Sequence, residues 1–191
     1  KLLNVFYPLN RIDEGGVVGY YPENHGKPIG LVSGNPNGNV DVTPIEVGNF
    51  KGYKLLAFAG YNAAEAGDMD NLLEFVKGGG TLLATIPHFA TNTLKADIDS
   101  YNLNIIDHEI TRLMFNGTPV FDGDVCTNLK SCAVITQRDE NGQPLVAEYN
   151  VGKGKIVLVN RLKYPGNANV MPLYTALVEK LNLEVLKQDN V

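Results

Sequence analysis

The chain has 191 residues, of which 44% are hydrophobic and 19% are charged, and this balance excludes a disordered polypeptide. Lys and Arg total 16 against 21 Asp and Glu, so the net charge is -5 and binding to nucleic acid through its phosphates is not expected. The longest apolar runs have about six residues, whereas a bilayer span needs roughly 20, so no membrane partner is expected either.

The first part of the chain is rich in turn-forming residues. Residues 1–28 contain Gly, Pro and Asn without a periodic apolar pattern, which predicts an irregular segment or linker. The strings PIGLVSG and NVDVTPIE lie on either side of a turn-rich NPNGN and predict two short strands. Because the chain begins at Lys1, we expect a mature form or an excised piece from which any targeting signal has been removed. We predict one domain over residues 29–191.

A strand–helix–strand unit is the clearest local prediction. KLLAFAG (54–60) and TLLATIP (81–87) are continuous apolar runs, as expected of strands covered on both faces. Between them, MDNLLEFVK has its apolar residues at helical spacing, with Asp68 predicted as the N-cap and the glycines 78–80 as the stop. The order predicts two parallel strands joined by a right-handed crossover.

The elements after the strand–helix–strand unit include a predicted antiparallel hairpin. DHEITRLMF predicts a short helix, and the strands CAVITQ and LVAEYNV flank the hairpin signal Asn141-Gly142. GKGK then turns the chain into the apolar strand KIVLVN, and VMPLYTALVEKLNL predicts a closing helix with Pro172 in its first turn. We therefore predict a three-layer α/β sandwich with a mainly parallel central sheet and an antiparallel extension at one edge.

No metal or cofactor is expected from the remaining polar residues. Cys126 and Cys132 lie six apart without the partners that a zinc site needs, and a local disulfide and two free thiols both stay open. Asp122 and Asp124 lack the spacing of a calcium loop, so we interpret them as part of a turn.

Four residues are expected to form a ligand or partner rim: Tyr61, Asn62, His88 and Phe89. They follow the two predicted parallel strands, whose carboxyl ends open on the same side of the sheet. The helix between the strands points its N-terminal amides toward that side. A ring face, an amide and an imidazole suit a sugar, and the same groups suit packing against a neighbouring domain.

The strings GNPNGNVDVTPIE, YKLLAFAGYN, LLEFVKGGGTLLATIP, LVAEYNVGKGKIVLVN and YPGN occur in an order that resembles a known fold. It is similar to the class I glutamine amidotransferase-like domains, flavodoxin-like α/β sandwiches of the kind found within multidomain glycoside hydrolases. The resemblance covers about residues 29–182.

The residues that carry out chemistry in that family are missing from the matching positions. The family's nucleophilic cysteine sits at an elbow after the strand that matches TLLATIP, where this chain has Thr85, Ile86 and Pro87. Its histidine and glutamate follow the strand that matches KIVLVN, where this chain reads RLKYPGN. The resemblance therefore implies a domain without the Cys-His-Glu triad and with no catalytic residues of its own.

We expect a non-catalytic accessory domain of a larger carbohydrate-active enzyme, a bacterial and extracytoplasmic glycoside hydrolase. The resemblance implies a role in scaffolding, oligomerisation or shaping a sugar site, with other domains of the parent polypeptide, further copies of the chain and carbohydrate as partners. Two rival hypotheses stay open. One is an enzyme built around His88, Asp68 and Asp70, and the other is a glycan or small-molecule binding module that acts through the Tyr61 loop.

Overall fold

The structure is a computed structural model that describes residues 45, 48, 50, 52–59, 63–92 and 103–188. The predicted segment 1–28 and the two short strands predicted before residue 48 fall outside the described residues, apart from single positions. Tyr61 and Asn62 also lie outside them. The domain boundary at residue 29 therefore stays a prediction.

The described residues contain seven strands, three α-helices and a 3-10 helix, Ile86–Phe89. In chain order, the strands are β1 (Leu55–Ala57), β2 (Thr81–Thr85), β3 (Phe121–Asp122), β4 (Val125–Cys126), β5 (Val134–Arg138), β6 (Pro144–Val151) and β7 (Gly154–Val159). The helices are α1 (Ala66–Lys77), α2 (Glu109–Met114) and α3 (Met171–Gln188). None of the described helices combines the length and the apolarity that crossing a bilayer requires.

Five of the strands form one mixed sheet in the order β1-β2-β7-β6-β5. β1 pairs with β2 and β2 with β7 in parallel, whereas β6 and β5 continue the sheet with antiparallel pairing. The predicted parallel pairing of the first two strands and the antiparallel extension are confirmed. The sheet is nevertheless mixed rather than mainly parallel, because two of its four strand pairings are antiparallel. It is an α/β fold.

Both faces of the sheet are covered by helices. One hydrophobic cluster joins α1 and α2 to alternate residues of the central strands, including Leu82, Ile156 and Leu158. The second cluster joins α3 to the residues between them, including Leu83 and Val157. Because successive side chains of a strand point to opposite faces, strands covered on both sides are apolar throughout, which is the pattern that the sequence shows.

Helix α1 begins earlier than the sequence predicted. Its N-cap is Glu65, and Asp68 is the third helical residue, whose Oδ2 accepts a hydrogen bond from the Glu65 backbone N–H at 2.8 Å. Asp68 therefore stabilises the first turn as one half of a capping box, and the prediction that it is the N-cap is wrong. At the other end Gly78 keeps a helical conformation, and Gly79 provides the positive φ, 121°, that ends the helix.

Candidate functional site

The carboxyl edge of the parallel strands brings several chain segments together. β1, β2 and β7 end at this edge because they run in the same direction. The antiparallel strand β5 ends there and β6 begins there, so their connecting turn lies at the same edge. The described residues that meet at this edge therefore include those that follow β1, β2 and β7 and those of the β5–β6 turn.

His88 lies in the 3-10 turn that follows β2 and is completely buried, with 0% of its surface exposed. Its Nδ1 accepts a hydrogen bond from the Thr85 backbone N–H at 3.0 Å. Its ring stacks on Phe58 with centroids 4.8 Å apart and meets Tyr164 edge-on at 5.2 Å. Because a backbone N–H can only donate, Nδ1 carries no proton in this arrangement and the proton of the neutral ring is on Nε2.

This placement bears on the predicted rim of Tyr61, Asn62, His88 and Phe89. Phe89 is also completely buried, so neither described residue of the rim offers its side chain to solvent. His88 instead joins the carboxyl ends of β1 and β2 to the segment that follows β7. Tyr61 and Asn62 lie outside the described residues, and a rim formed by all four stays a prediction.

A polar cleft of about 490 Å³ opens further along the same edge. It lies between the turn joining β3 to β4 and the turn joining β5 to β6, with Arg161 of the segment after β7 between them. The nine residues that line it are Asp122, Gly123, Asp124, Val125, Asp139, Glu140, Asn141, Gln143 and Arg161. Three segments that are distant in sequence therefore build one concave surface.

Arg161 is the best-anchored side chain in the cleft, and only 13% of it is exposed. Its Nη2 donates to Asp139 Oδ2 at 2.9 Å, and its Nη1 donates to the backbone carbonyl of Asn160 at 3.1 Å. Its Nε lies 3.7 Å from Asp124 Oδ1. The guanidinium is thus held in place by side chains of both turns.

The carboxylate of Asp139 stabilises the β5–β6 turn by hydrogen bonds to its backbone. Its Oδ1 accepts hydrogen bonds from the backbone N–H groups of Asn141, at 3.0 Å, and Gln143, at 2.9 Å. Burial acts to raise the pKa of Asp139, but the hydrogen bonds from Gln143, Arg161 and Asn141 outweigh it, so this pKa lies below its ordinary value. Asp139 is therefore an ionised structural anchor rather than an acid poised to give up a proton.

The side chain of Asn160 connects β4 to the start of β6 at the base of the cleft. It is completely buried, its Nδ2 donates to the carbonyls of Cys126 and Pro144, and its Oδ1 accepts from the Cys126 N–H at 3.2 Å.

The two cysteines are not joined by a disulfide. Cys126 is a buried free thiol and Cys132 is an exposed one, so of the two alternatives left open the structure has free thiols. Burial raises the pKa of Cys126, which keeps the sulfur protonated and unreactive at neutral pH.

The residues of the rival enzyme hypothesis are engaged in separate places. Asp70 accepts from His108 Nε2 at 2.9 Å, joining α1 to the start of α2, while Asp68 caps α1 and His88 contacts Thr85. Within the part of the chain that the structure describes, no group of three or more His, Cys, Asp or Glu side chains is placed to hold a metal ion.

Sequence reasoning did not identify the cleft. The sequence predicts its two turns only as turns, and it places Arg161 only in the segment after the strand KIVLVN. The signal was present in part, because a polar residue directly after a buried parallel strand lies at the edge where ligands bind in open α/β sheets. What the sequence lacks is any sign that the turns at Asp124 and Asp139 fold onto Arg161.

Comparisons with known proteins give only distant similarities. No family model matches the chain, and no curated protein matches it. Among solved structures, a catalytic mutant of Gan42B, a GH42 beta-galactosidase from G. stearothermophilus, is similar with 18% identity and a TM-score of 0.46 over 75% of this chain and 22% of that chain. An exo-beta-1,4-mannosidase from Opitutaceae bacterium strain TAV5 is similar with 17% identity and a TM-score of 0.40 over 70% of this chain and 25% of that chain. The chain thus spans a quarter or less of the length of these glycosidase chains.

Proposed function

We propose that the chain is a non-catalytic, amidotransferase-like accessory domain of a larger carbohydrate-active enzyme, a bacterial extracytoplasmic glycoside hydrolase. In this proposal the domain is a three-layer flavodoxin-like sandwich without the Cys-His-Glu triad. It acts as a scaffold for other domains or copies of the parent protein and helps to shape a sugar site.

The observation that carries the proposal is the chemistry of the two segments where an amidotransferase would hold its triad. After β2 the chain enters a 3-10 turn at Ile86 and Pro87, where proline provides no backbone N–H for an oxyanion. After β7 it continues with Arg161, which is tied to Asp139 and Asp124. These residues provide neither a nucleophile nor a free base for acyl transfer.

The nearby groups that could be mistaken for catalytic ones are held in inactive states. Cys126 is buried and its pKa is raised, so it is not a thiolate. His88 Nδ1 accepts a hydrogen bond from the Thr85 backbone N–H and lies 3.1 Å from the Thr85 hydroxyl, but both residues are completely buried, so a substrate has no access to this pair. The side chains of Cys126 and His88 therefore have a structural role at the sheet edge where an amidotransferase would hold its triad.

The test uses the full-length parent protein, in which we expect a segment of catalytic-domain size before Lys1. Its mass in solution and its glycoside hydrolysis are compared with those of a parent lacking residues 29–191. A smaller assembly or a loss of hydrolysis is expected, and a deletion that changes neither would show that the accessory role is wrong.

Glutamine hydrolysis tests the absence of a triad separately. Ammonia release from glutamine by the parent should not exceed that of a buffer blank. A rate above the blank that is lost in Cys126→Ala or in Cys132→Ala would show that one of these thiols is a nucleophile.

A further inference from the structure

The cleft at Arg161 has the dimensions of a small-molecule site. Its volume of about 490 Å³ falls within the roughly 300–1,000 Å³ of typical ligand pockets, and it opens at the carboxyl edge of the parallel strands. We propose that this cleft binds a neutral, hydroxyl-rich ligand, namely a saccharide. The choice of a saccharide rests on the proposed function, which it deepens by assigning the sugar contact to named residues.

The lining offers hydrogen-bonding groups that the fold leaves unused. Asn141 and Gln143 make their hydrogen bonds through the backbone, and no hydrogen bond of the described residues involves their side-chain amides. After its bonds to Asp139 and Asn160, Arg161 keeps one N–H on each terminal nitrogen. The two amides both donate and accept, and the guanidinium donates, so together they match the hydroxyls of a sugar ring, each of which can do both.

The arrangement of charges argues for a ligand without net charge. An anion would face the carboxylates of both turns, which outnumber the single guanidinium. A cation would meet Arg161 between the turns, where Asp124 and Asp139 are already paired with it. The other two acids, Asp122 and Glu140, are exposed, and water and salt weaken their attraction for a cation.

The cleft is also organised in advance of binding. The hydrogen bonds to the Asp139 carboxylate close the β5–β6 turn, and Arg161 holds this turn and the β3–β4 turn in place. The backbone N–H of Leu162 donates to the carbonyl of Asp124 at 2.9 Å, which fixes the second turn independently of its side chains. The backbone of both turns and the Arg161 side chain therefore lose little conformational freedom when a ligand binds, and only the unpaired side-chain amides of Asn141 and Gln143 have to be ordered.

Nuclear magnetic resonance titration of the 191-residue chain tests the proposal, with glucose, galactose and mannose as separate probes. Because the cleft is open and polar, we expect millimolar affinity for at least one hexose, so the titrations extend to about 100 mM. The hexose should shift the signals of the Arg161 Nε–H and of the Asn141 and Gln143 side-chain amides. Putrescine and glucose 6-phosphate are the cationic and anionic comparators, and neither should shift these signals as strongly.

Two variants separate this site from others. The double variant Asn141→Ala, Gln143→Ala removes only side-chain amides, so the backbone bonds of the turn remain, and hexose affinity should fall by about tenfold or more. Asn150→Ala makes the same kind of change at an exposed position at the opposite end of β6, and it should leave affinity unchanged.

Three results would overturn the proposal: no hexose shifts the cleft signals, the double variant binds hexose as well as the unaltered chain, or putrescine alone shifts them. The titration is made on the chain itself, whereas the accessory role is measured as assembly and hydrolysis of the parent. Either can therefore fail without the other.

Discussion

Gly154 lies where β7 begins, against the C-terminal end of α1, and replacing it by alanine should lower stability sharply. A methyl group on its Cα would overlap the carbonyl oxygens of Val76 and Gly80. Both oxygens are already used, because the first accepts from the Gly79 N–H at 3.0 Å and the second from the Lys155 N–H at 3.2 Å. Neither can move away without disturbing the end of α1 or the pairing of β2 with β7.

The magnitude follows from the kind of atom that is displaced. Inserting a methyl group into packed protein costs about 1–3 kcal/mol, and flexible neighbours keep the cost low. Here the neighbours are backbone atoms, so we expect Gly154→Ala to reduce the free energy of unfolding by about 3 kcal/mol. For a chain of this length each kcal/mol lowers Tm by about 2–4 °C, so Tm should fall by about 6–12 °C. Urea unfolding and thermal melting followed by circular dichroism measure both quantities.

Gly67→Ala is the matched control. Gly67 lies in the first turn of α1 with nothing within 4 Å of the added methyl group, so alanine should raise the free energy of unfolding by up to about 1 kcal/mol through its better helix propensity. If Gly154→Ala instead stays within about 0.5 kcal/mol of the unaltered chain, the close approach of β7 to α1 is wrong.

Two further predictions concern the residues that hold the cleft. Asn160→Ala should reduce the free energy of unfolding by about 3 kcal/mol, because backbone groups of Cys126 and Pro144 lose their partners, and a loss below about 1 kcal/mol in urea unfolding would contradict this network. The folded-state pKa of Asp139 lies below its ordinary value of 3.8, so the stability that this carboxylate contributes is present above that pH and is lost as the pH falls through the folded-state pKa. Asp139→Asn should therefore flatten the acid side of the curve of unfolding free energy against pH, and a variant with an unchanged acid side would show that the hydrogen bonds from Gln143, Arg161 and Asn141 to this carboxylate do not stabilise the fold.

The local elements could be predicted from the sequence because their causes are local. Apolar residues at helical spacing placed α1, and Asn141-Gly142 placed the hairpin, in which Gly142 has the positive φ of 77° that the turn needs. Continuous apolar runs predicted buried strands, and the crossover helix predicted that β1 and β2 pair in parallel. The helix and the hairpin depend on residues that are close together in the chain, whereas the parallel pairing follows from the rule that a short helical crossover joins two parallel strands.

Tertiary structure alone decided which polar residues meet. Asp139 and Arg161 are 22 residues apart, and their contact depends on how the β5–β6 turn folds over the end of β7. The structure places His88 against the rings of Phe58 and Tyr164, and neither ring is near it in sequence. A sequence states which groups a chain possesses, whereas burial and ion pairing depend on neighbours that only the packed sheet brings within a few ångströms.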